Sequence, residues 1–170
     1  VDFRFGGNVS GRSYTGPNWF GKDILANTGA NFTIQAGSGR PYSRRNINND
    51  YLIGSINGSR MPWSKTINVR FDRDFLVKLK GKDEVNNKKF YLNVYLDIFN
   101  ILNTANVRGV SAYTGNPDDD GFLTAAKYQE AIAQQHDEAA YRNYYAMYNY
   151  NYPWNYSRPR TIQLGAIVSF

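Results

Sequence analysis

Long runs in which apolar and polar residues alternate one by one constrain this chain more than any other feature. Over 160–170, Ile162, Leu164, Ala166, Val168 and Phe170 share one face, and Thr161, Gln163, Gly165, Ile167 and Ser169 share the other. Over 88–103 the apolar set is Phe90, Leu92, Val94, Leu96 and Ile98, set against Tyr91, Asn93, Tyr95 and Asp97. Over 64–77, Ile67, Val69, Phe71 and Phe75 oppose Thr66, Asn68, Arg70, Asp72 and Asp74. A fourth run, 24–37, places Ala26, Ala30, Phe32, Ile34 and Ala36 against Asn27, Asn31, Thr33 and Gln35, and 1–6 reads as the tail of a fifth. A period of two with one apolar face is the mark of a β-strand.

Strand length narrows the fold. Soluble strands average about 5–6 residues, whereas strands that cross a bilayer in a closed barrel need about 9–11. Four of these runs belong to the longer class. Arg70, Asp72, Asn93, Tyr95 and Asp97 fall on the polar faces, where charge suits a watery lumen better than a dry core. The connections also alternate in length: 78–88 is a short polar turn, whereas 38–63 and 104–159 are long. Short turns on one side and long loops on the other is the plan of an outer-membrane barrel, with the long loops outside. The link 6–22 falls on the short side yet is longer than that plan expects.

The expected fold class is therefore all-β: about four or five C-terminal antiparallel strands of a large transmembrane β-barrel. A short helical insertion, over 123–135 and 137–147, is expected in the last extracellular loop. Bacterial single-chain barrels start at about eight strands, and an open sheet edge in lipid leaves backbone groups unpaired. The chain is thus expected to be part of a larger barrel. A soluble β-sandwich that exposes its polar face is the alternative on pattern alone.

Composition removes other classes. No apolar run approaches the roughly 20 residues of a membrane-spanning helix. The opening Val1-Asp2-Phe3-Arg4-Phe5 lacks the basic-then-apolar pattern of a leader and reads as the interior of a longer chain. With no Cys there is no thiolate chemistry. The net charge of +6 is scattered, not gathered into a stripe, so nucleic acid is not an expected partner. His136 is the lone His and has no second ligand at metal or triad spacing, so neither zinc nor catalysis is expected, nor any cofactor.

Three clusters remain. Asn116, Asp118 and Asp120 occupy positions 1, 3 and 5 of a calcium-loop spacing, with Gly121 at 6; Lys127 stands where the bidentate Glu belongs and breaks the motif. The other reading is a turn whose carboxylates favour the start of the following helix. Tyr141, Tyr144, Tyr145, Tyr148 and Trp154 belong to a Tyr-rich stretch that either stacks on a substrate ring or packs the loop. Arg40, Arg44, Arg45, Arg60, Arg158 and Arg160 lie near the expected outer strand ends, as lipopolysaccharide-phosphate contacts or as solvated charge. Trp19, Phe20 and Trp63 are candidates for interfacial aromatic girdles.

Several stretches carry a resemblance: 37–42 (GSGRPY), 54–63 (GSINGSRMPW), 69–75 (VRFDRDF), 94–104 (VYLDIFNILNT), 114–121 (TGNPDDDG) and 158–170. In this order they resemble the barrel of TonB-dependent outer-membrane receptors, especially the subgroup with a carboxypeptidase-regulatory-like domain, often called Oar-like. The resemblance implies a barrel of about twenty-two strands with a plug domain, placed in the bacterial outer membrane with a periplasmic C-terminus. It implies TonB-driven import of a bulky siderophore, glycan or peptide, with a surface-platform or protein-export role as the alternative. TonB and the plug would be engaged through sequence upstream of this chain. Phe170 matches the terminal aromatic that barrel-assembly machinery recognises in the family. Outer-membrane lipid, lipopolysaccharide and, in some members, a surface lipoprotein are the further implied partners.

Overall fold

The computed structural model describes residues 1–79, 88–150 and 152–170. Among these residues nine strands form: β1 (Asp2–Arg4), β2 (Asn18–Trp19), β3 (Lys22–Asp23), β4 (Thr28–Gly37), β5 (Pro41–Tyr42), β6 (Ser59–Arg60), β7 (Ser64–Leu79), β8 (Lys88–Phe99) and β9 (Thr161–Ser169). Two helices, α1 (Ala126–Ala133) and α2 (Glu138–Asn149), precede β9. The turn expected at 78–88 falls largely outside the described residues.

The chain divides into two compact units: a sheet unit of 1–34, 66–104 and 160–170, and a loop unit of 35–65 and 105–159. The sheet has five strands in the order β1-β4-β7-β8-β9, so among the described residues β1 and β9 are its edges and no closed barrel is seen. β1–β4, β7–β8 and β8–β9 are antiparallel. β2 and β3 form a separate two-stranded ribbon, as do β5 and β6.

Register turns the alternation into two faces. Phe71 stands opposite Leu96, which stands opposite Leu164; Phe75, Leu92 and Val168 make a second such row. Phe32 bridges edge-on to Phe3 and to Phe71, with ring centroids 6.2 and 6.3 Å apart. Yet this face is only partly covered: Leu92, Val94, Leu96 and Ile98 of β8 are half-buried, and the outer strands are more open. Leu164 is 76% exposed, Ile34 69% and Ile162 60%, and among the described residues only Val69 and Ile132 are buried apolar side chains. The second sheet of a sandwich, which would bury this face, is absent among the described residues.

Two strands are shorter than the alternation predicts, for local reasons. β4 starts at Thr28, not near 24, because Asn27 takes a left-handed φ of 58° and the Thr28 hydroxyl donates to the Leu25 carbonyl at 2.6 Å. Asn tolerates that conformation better than most residues. β8 ends at Phe99, not near 103, because Asn100 and Asn103 are left-handed (φ 53° and 51°). The Asn100 side chain closes the turn, accepting from the Thr104 amide and donating to its carbonyl, both at 3.0 Å. The Asn103 side chain accepts from the Arg160 amide at 2.9 Å, which sets the entry to β9.

In the loop unit α2 begins where Asp137 accepts from the Ala140 amide at 2.9 Å, a side-chain N-cap. Arg142 on α2 donates to the Gln129 side chain of α1 at 2.7 Å and to the Leu123 carbonyl at 2.9 Å. Ile132 of α1 is almost fully enclosed. Asn106 is buried and grips Lys65 by both backbone groups, each at 2.8 Å.

Candidate functional site

The sheet unit concentrates its polar chemistry on one face. Arg70 is directly opposite Asp97, Asp72 opposite Tyr95, and Asp74 opposite Asn93. Arg70 donates to Asp97 at 3.1 Å, and its guanidinium carbon stands 4.1 Å from the centre of the Tyr95 ring. Asn93 donates to Asp74 at 2.6 Å. From the edge strand β1, across β4, Arg4 reaches Asp72 at 3.5 Å, and it pairs with Asp2 of its own strand at 3.2 Å. Asp72 is the most enclosed carboxylate of this network.

Two glycines make this face flat. A Cβ on Gly29 would meet Asp72 Oδ1 at 2.8 Å, and a Cβ on Gly165 would collide with the Tyr95 ring. Tyr95 pairs with Gly165 in the register, so its ring lies down where a side chain would otherwise stand. Cross-strand pairs of opposite charge each add only a few tenths to about 1 kcal/mol. Their larger effect is to hold long side chains against the sheet.

The loop unit builds its site on the acidic turn. Asn116 accepts from the Asp118 amide at 3.0 Å, Asp119 from Gly121 at 2.7 Å and Asp120 from Phe122 at 3.0 Å, and the Thr114 hydroxyl donates to the Asp119 carbonyl. The carboxylates then take tyrosine hydroxyls from 25 and 38 residues away: Tyr145 donates to Asp120 and Tyr156 to Asp118, each at 2.6 Å. The hydrogen bond to Asp118, with some burial, raises the Tyr156 pKa to about 12. Burial first, then the charge of Asp119, raises Tyr150 to about 12. Tyr145 is raised as well, by burial and then by Asp120.

The carboxylates of the acidic turn are engaged inside the loop unit. Asp118 and Asp120 are committed to tyrosines, and among the described residues no three His, Cys, Asp or Glu side chains gather as a metal site. One oxygen of Asp118 is buried without a hydrogen-bond partner among the described residues, and a single donor does not make a cation site. Nor do these carboxylates cap the next helix, because α1 starts at Ala126 with no acidic residue in its first turn.

Beside the turn lies an open cavity of about 420 Å³, within the size range of small-ligand sites. Its walls include Tyr113, Tyr128, Phe122, Tyr145, Asp120 and the loop asparagine Asn46. Phe122 stacks on Tyr145 with centroids 4.4 Å apart and leans on Tyr128 at 4.5 Å. Lys127 stands 5.1 Å from the Tyr128 ring centre and donates to Asn48. Of the tyrosines singled out in the sequence, only Tyr145 lines this cavity. Tyr144 and Tyr148 make an exposed pair on α2, 4.7 Å apart, Tyr141 is half-buried, and Trp154 is exposed in a 3-10 turn at Pro153–Asn155. His136 lies exposed between α1 and α2.

The cavity was not legible locally: Tyr113, Phe122 and Tyr128 carry no pattern that sets them apart from other loop aromatics. The signal that existed was the coincidence of three consecutive aspartates with a later run of hydroxyl-bearing rings. No family model, no curated protein and no solved structure matches the chain.

Proposed function

We propose that this chain forms wall and surface loops of a TonB-dependent, Oar-like outer-membrane receptor, importing a bulky nutrient. The observation that carries the reading is the uncovered apolar face. A sheet whose strands run 10, 16, 12 and 9 residues in β4, β7, β8 and β9 puts its apolar side outward and its ion pairs on the other. In water such a face would be a large aggregation-prone patch; in a bilayer it is the ordinary outer surface of a barrel. The two open edges, β1 and β9, then pair with further strands of the same barrel.

On this reading Arg70, Asp72, Asn93, Tyr95 and Asp97 line the aqueous lumen, and their mutual pairing keeps that side of the passage low. The loop unit stands outside, where ring faces, amides and one carboxylate around the cavity suit a hydroxylated ring of a glycan or siderophore. Energy would come through TonB and a plug domain encoded beyond these residues. Phe170 is fully exposed and only leans on Phe90 at 6.4 Å, which leaves its ring accessible to barrel-assembly machinery. Its neighbours on the membrane side would be lipid, with lipopolysaccharide and a surface lipoprotein at the outer end.

The test is membrane fractionation of the intact gene product, followed by uptake with and without TonB. Detergent-dependent extraction from the outer membrane, a mass several times 19.4 kDa and loss of uptake without TonB are the expected results. Retention in the membrane with uptake indifferent to TonB would replace the importer with a surface platform or export conduit. Recovery in the aqueous fraction would end the barrel reading.

A further inference from the structure

One charge lies on the wrong side of the sheet. Between Ile67 and Val77, Arg73 is the single charged residue on the apolar face of β7; the register sets it opposite Val94, and Val94 opposite Ala166. Among the described residues no carboxylate forms an ion pair with it; the four ion pairs found there use Arg4 twice, Arg70 and Arg142. Its guanidinium carbon stands 5.3 Å from the Phe75 ring centre, so the side chain runs along the strand toward β7's second end. Beside it is a hollow of about 500 Å³ walled by Phe5, Leu25, Ala30, Phe71, Phe75 and Leu164. The hollow lies where β4 begins, since the Asp74 amide donates to the Asn27 carbonyl at 2.9 Å. Arg73 itself lies just past the middle of β7, on the half of the strand nearer Phe170, and its side chain leans further that way.

We propose that this hollow binds one anionic phospholipid, an acyl chain filling the apolar cavity and the phosphate resting on Arg73. The proposal rests on the membrane-barrel reading, which puts this half of the strands in the inner leaflet, where the Arg73 stem must extend toward the headgroups. An unpaired guanidinium in hydrocarbon is costly unless it reaches water or phosphate. Long basic side chains do so by laying their stem on apolar surface, as Arg73 does on Phe75. A guanidinium also matches the paired oxygens of a phosphate. The small side chain of Ala30 leaves the room that an acyl chain needs. Lipopolysaccharide, confined to the other leaflet, belongs at the far end of these strands.

The test compares the intact gene product with Arg73→Leu, Arg73→Lys and Ala30→Trp, each reconstituted into mixed phosphatidylethanolamine and phosphatidylglycerol vesicles and re-extracted in mild detergent. Retained lipid is quantified by mass spectrometry. Arg73→Leu should lower the retained ratio of phosphatidylglycerol to phosphatidylethanolamine roughly fivefold, the effect of one basic residue at an anionic surface. Arg73→Lys should hold it within about twofold, because the charge remains. Ala30→Trp, which fills the hollow and keeps the charge, should lower retention of both lipids. An unchanged ratio in Arg73→Leu, together with unchanged retention in Ala30→Trp, overturns the site. If Arg73→Leu does not assemble, Ala30→Trp alone decides. A protein that needs no detergent sinks the barrel reading itself, whereas a detergent-requiring protein with an unchanged ratio sinks only the lipid site.

Discussion

The sheet unit and the loop unit are held together by different means. In the sheet, backbone ladders make the structure, and apart from Val69 the side chains that would form a core in a soluble domain are exposed or only half-buried. In the loop unit the burden falls on single polar side chains. Asn106 grips Lys65, Arg142 ties α1 to α2, and Asp118 and Asp120 hold tyrosines from distant segments. A sheet needs only period and length to be specified, so long as its environment supplies the apolar partner. A segment with one fully enclosed side chain among its described residues, Ile132, must specify itself bond by bond.

The sharpest way to break this contrast is to exchange the two faces of β8. Leu96 lies on the apolar face and Asn93 on the polar face, three residues away. On the barrel reading Leu96→Arg should cost about 2–4 kcal/mol, the price of a guanidinium on the lipid side that the register sets further than Arg73 from the inner headgroups. Asn93→Arg should cost under about 1 kcal/mol, because that side faces water. Urea titration of the assembled protein in lipid vesicles measures both. Equal costs would mean that both faces are solvated and that the asymmetry has no membrane behind it.

Alkaline titration addresses the loop unit. Tyr150 and Tyr156 have pKa values raised from 10.0 to about 12, so the folded unit holds these protons more tightly than the unfolded chain. Their contribution is complete below pH 10 and fades as the pH climbs through 12. Tyrosinate absorbance should therefore appear in two steps, with Tyr150 and Tyr156 in the second, and the second step should coincide with loss of near-ultraviolet circular dichroism from the loop unit. Asp118→Asn removes the carboxylate that is the main cause at Tyr156 and should move that ring toward the first step. A single step shared by all 14 tyrosines would show that the acid–tyrosine bonds do not hold the unit.

The same division explains what could be read in advance. The faces of β4, β7, β8 and β9 were legible because a period of two survives any tertiary context that keeps one side apolar. Their ends were less so: Asn27, Asn100 and Asn103 each stop a strand through a left-handed backbone that alternation does not register. The ribbons β2–β3 and β5–β6 were not read, since two residues per strand display no period. Arg73 was visible as a residue but not as a conflict until the register placed it among apolar rows. In the loop unit the acidic triplet and the tyrosines were both noticed, yet their pairing spans 25 to 38 residues and no local rule joins them.

The smallest effect expected tests whether the loop unit is a sum of local bonds. Asp137 caps α2 by accepting from the Ala140 amide, and Glu138 pairs with Arg142 at 2.8 Å one turn on. Loss of such a cap costs about 1 kcal/mol, whereas a carboxamide replaces it with little loss. Asp137→Ala should therefore raise hydrogen exchange in the first turn of α2 about fivefold, and Asp137→Asn should leave it close to the parent. Arg142 bonds α1 from the same helix, so a unit built bond by bond should confine the change to α2's first turn. Faster exchange spread equally over α1 and the turn at 116–122 would instead mean that the loop unit opens as one cooperative body, and the contrast with the sheet would then lie in the kind of bond used, not in how stability is shared.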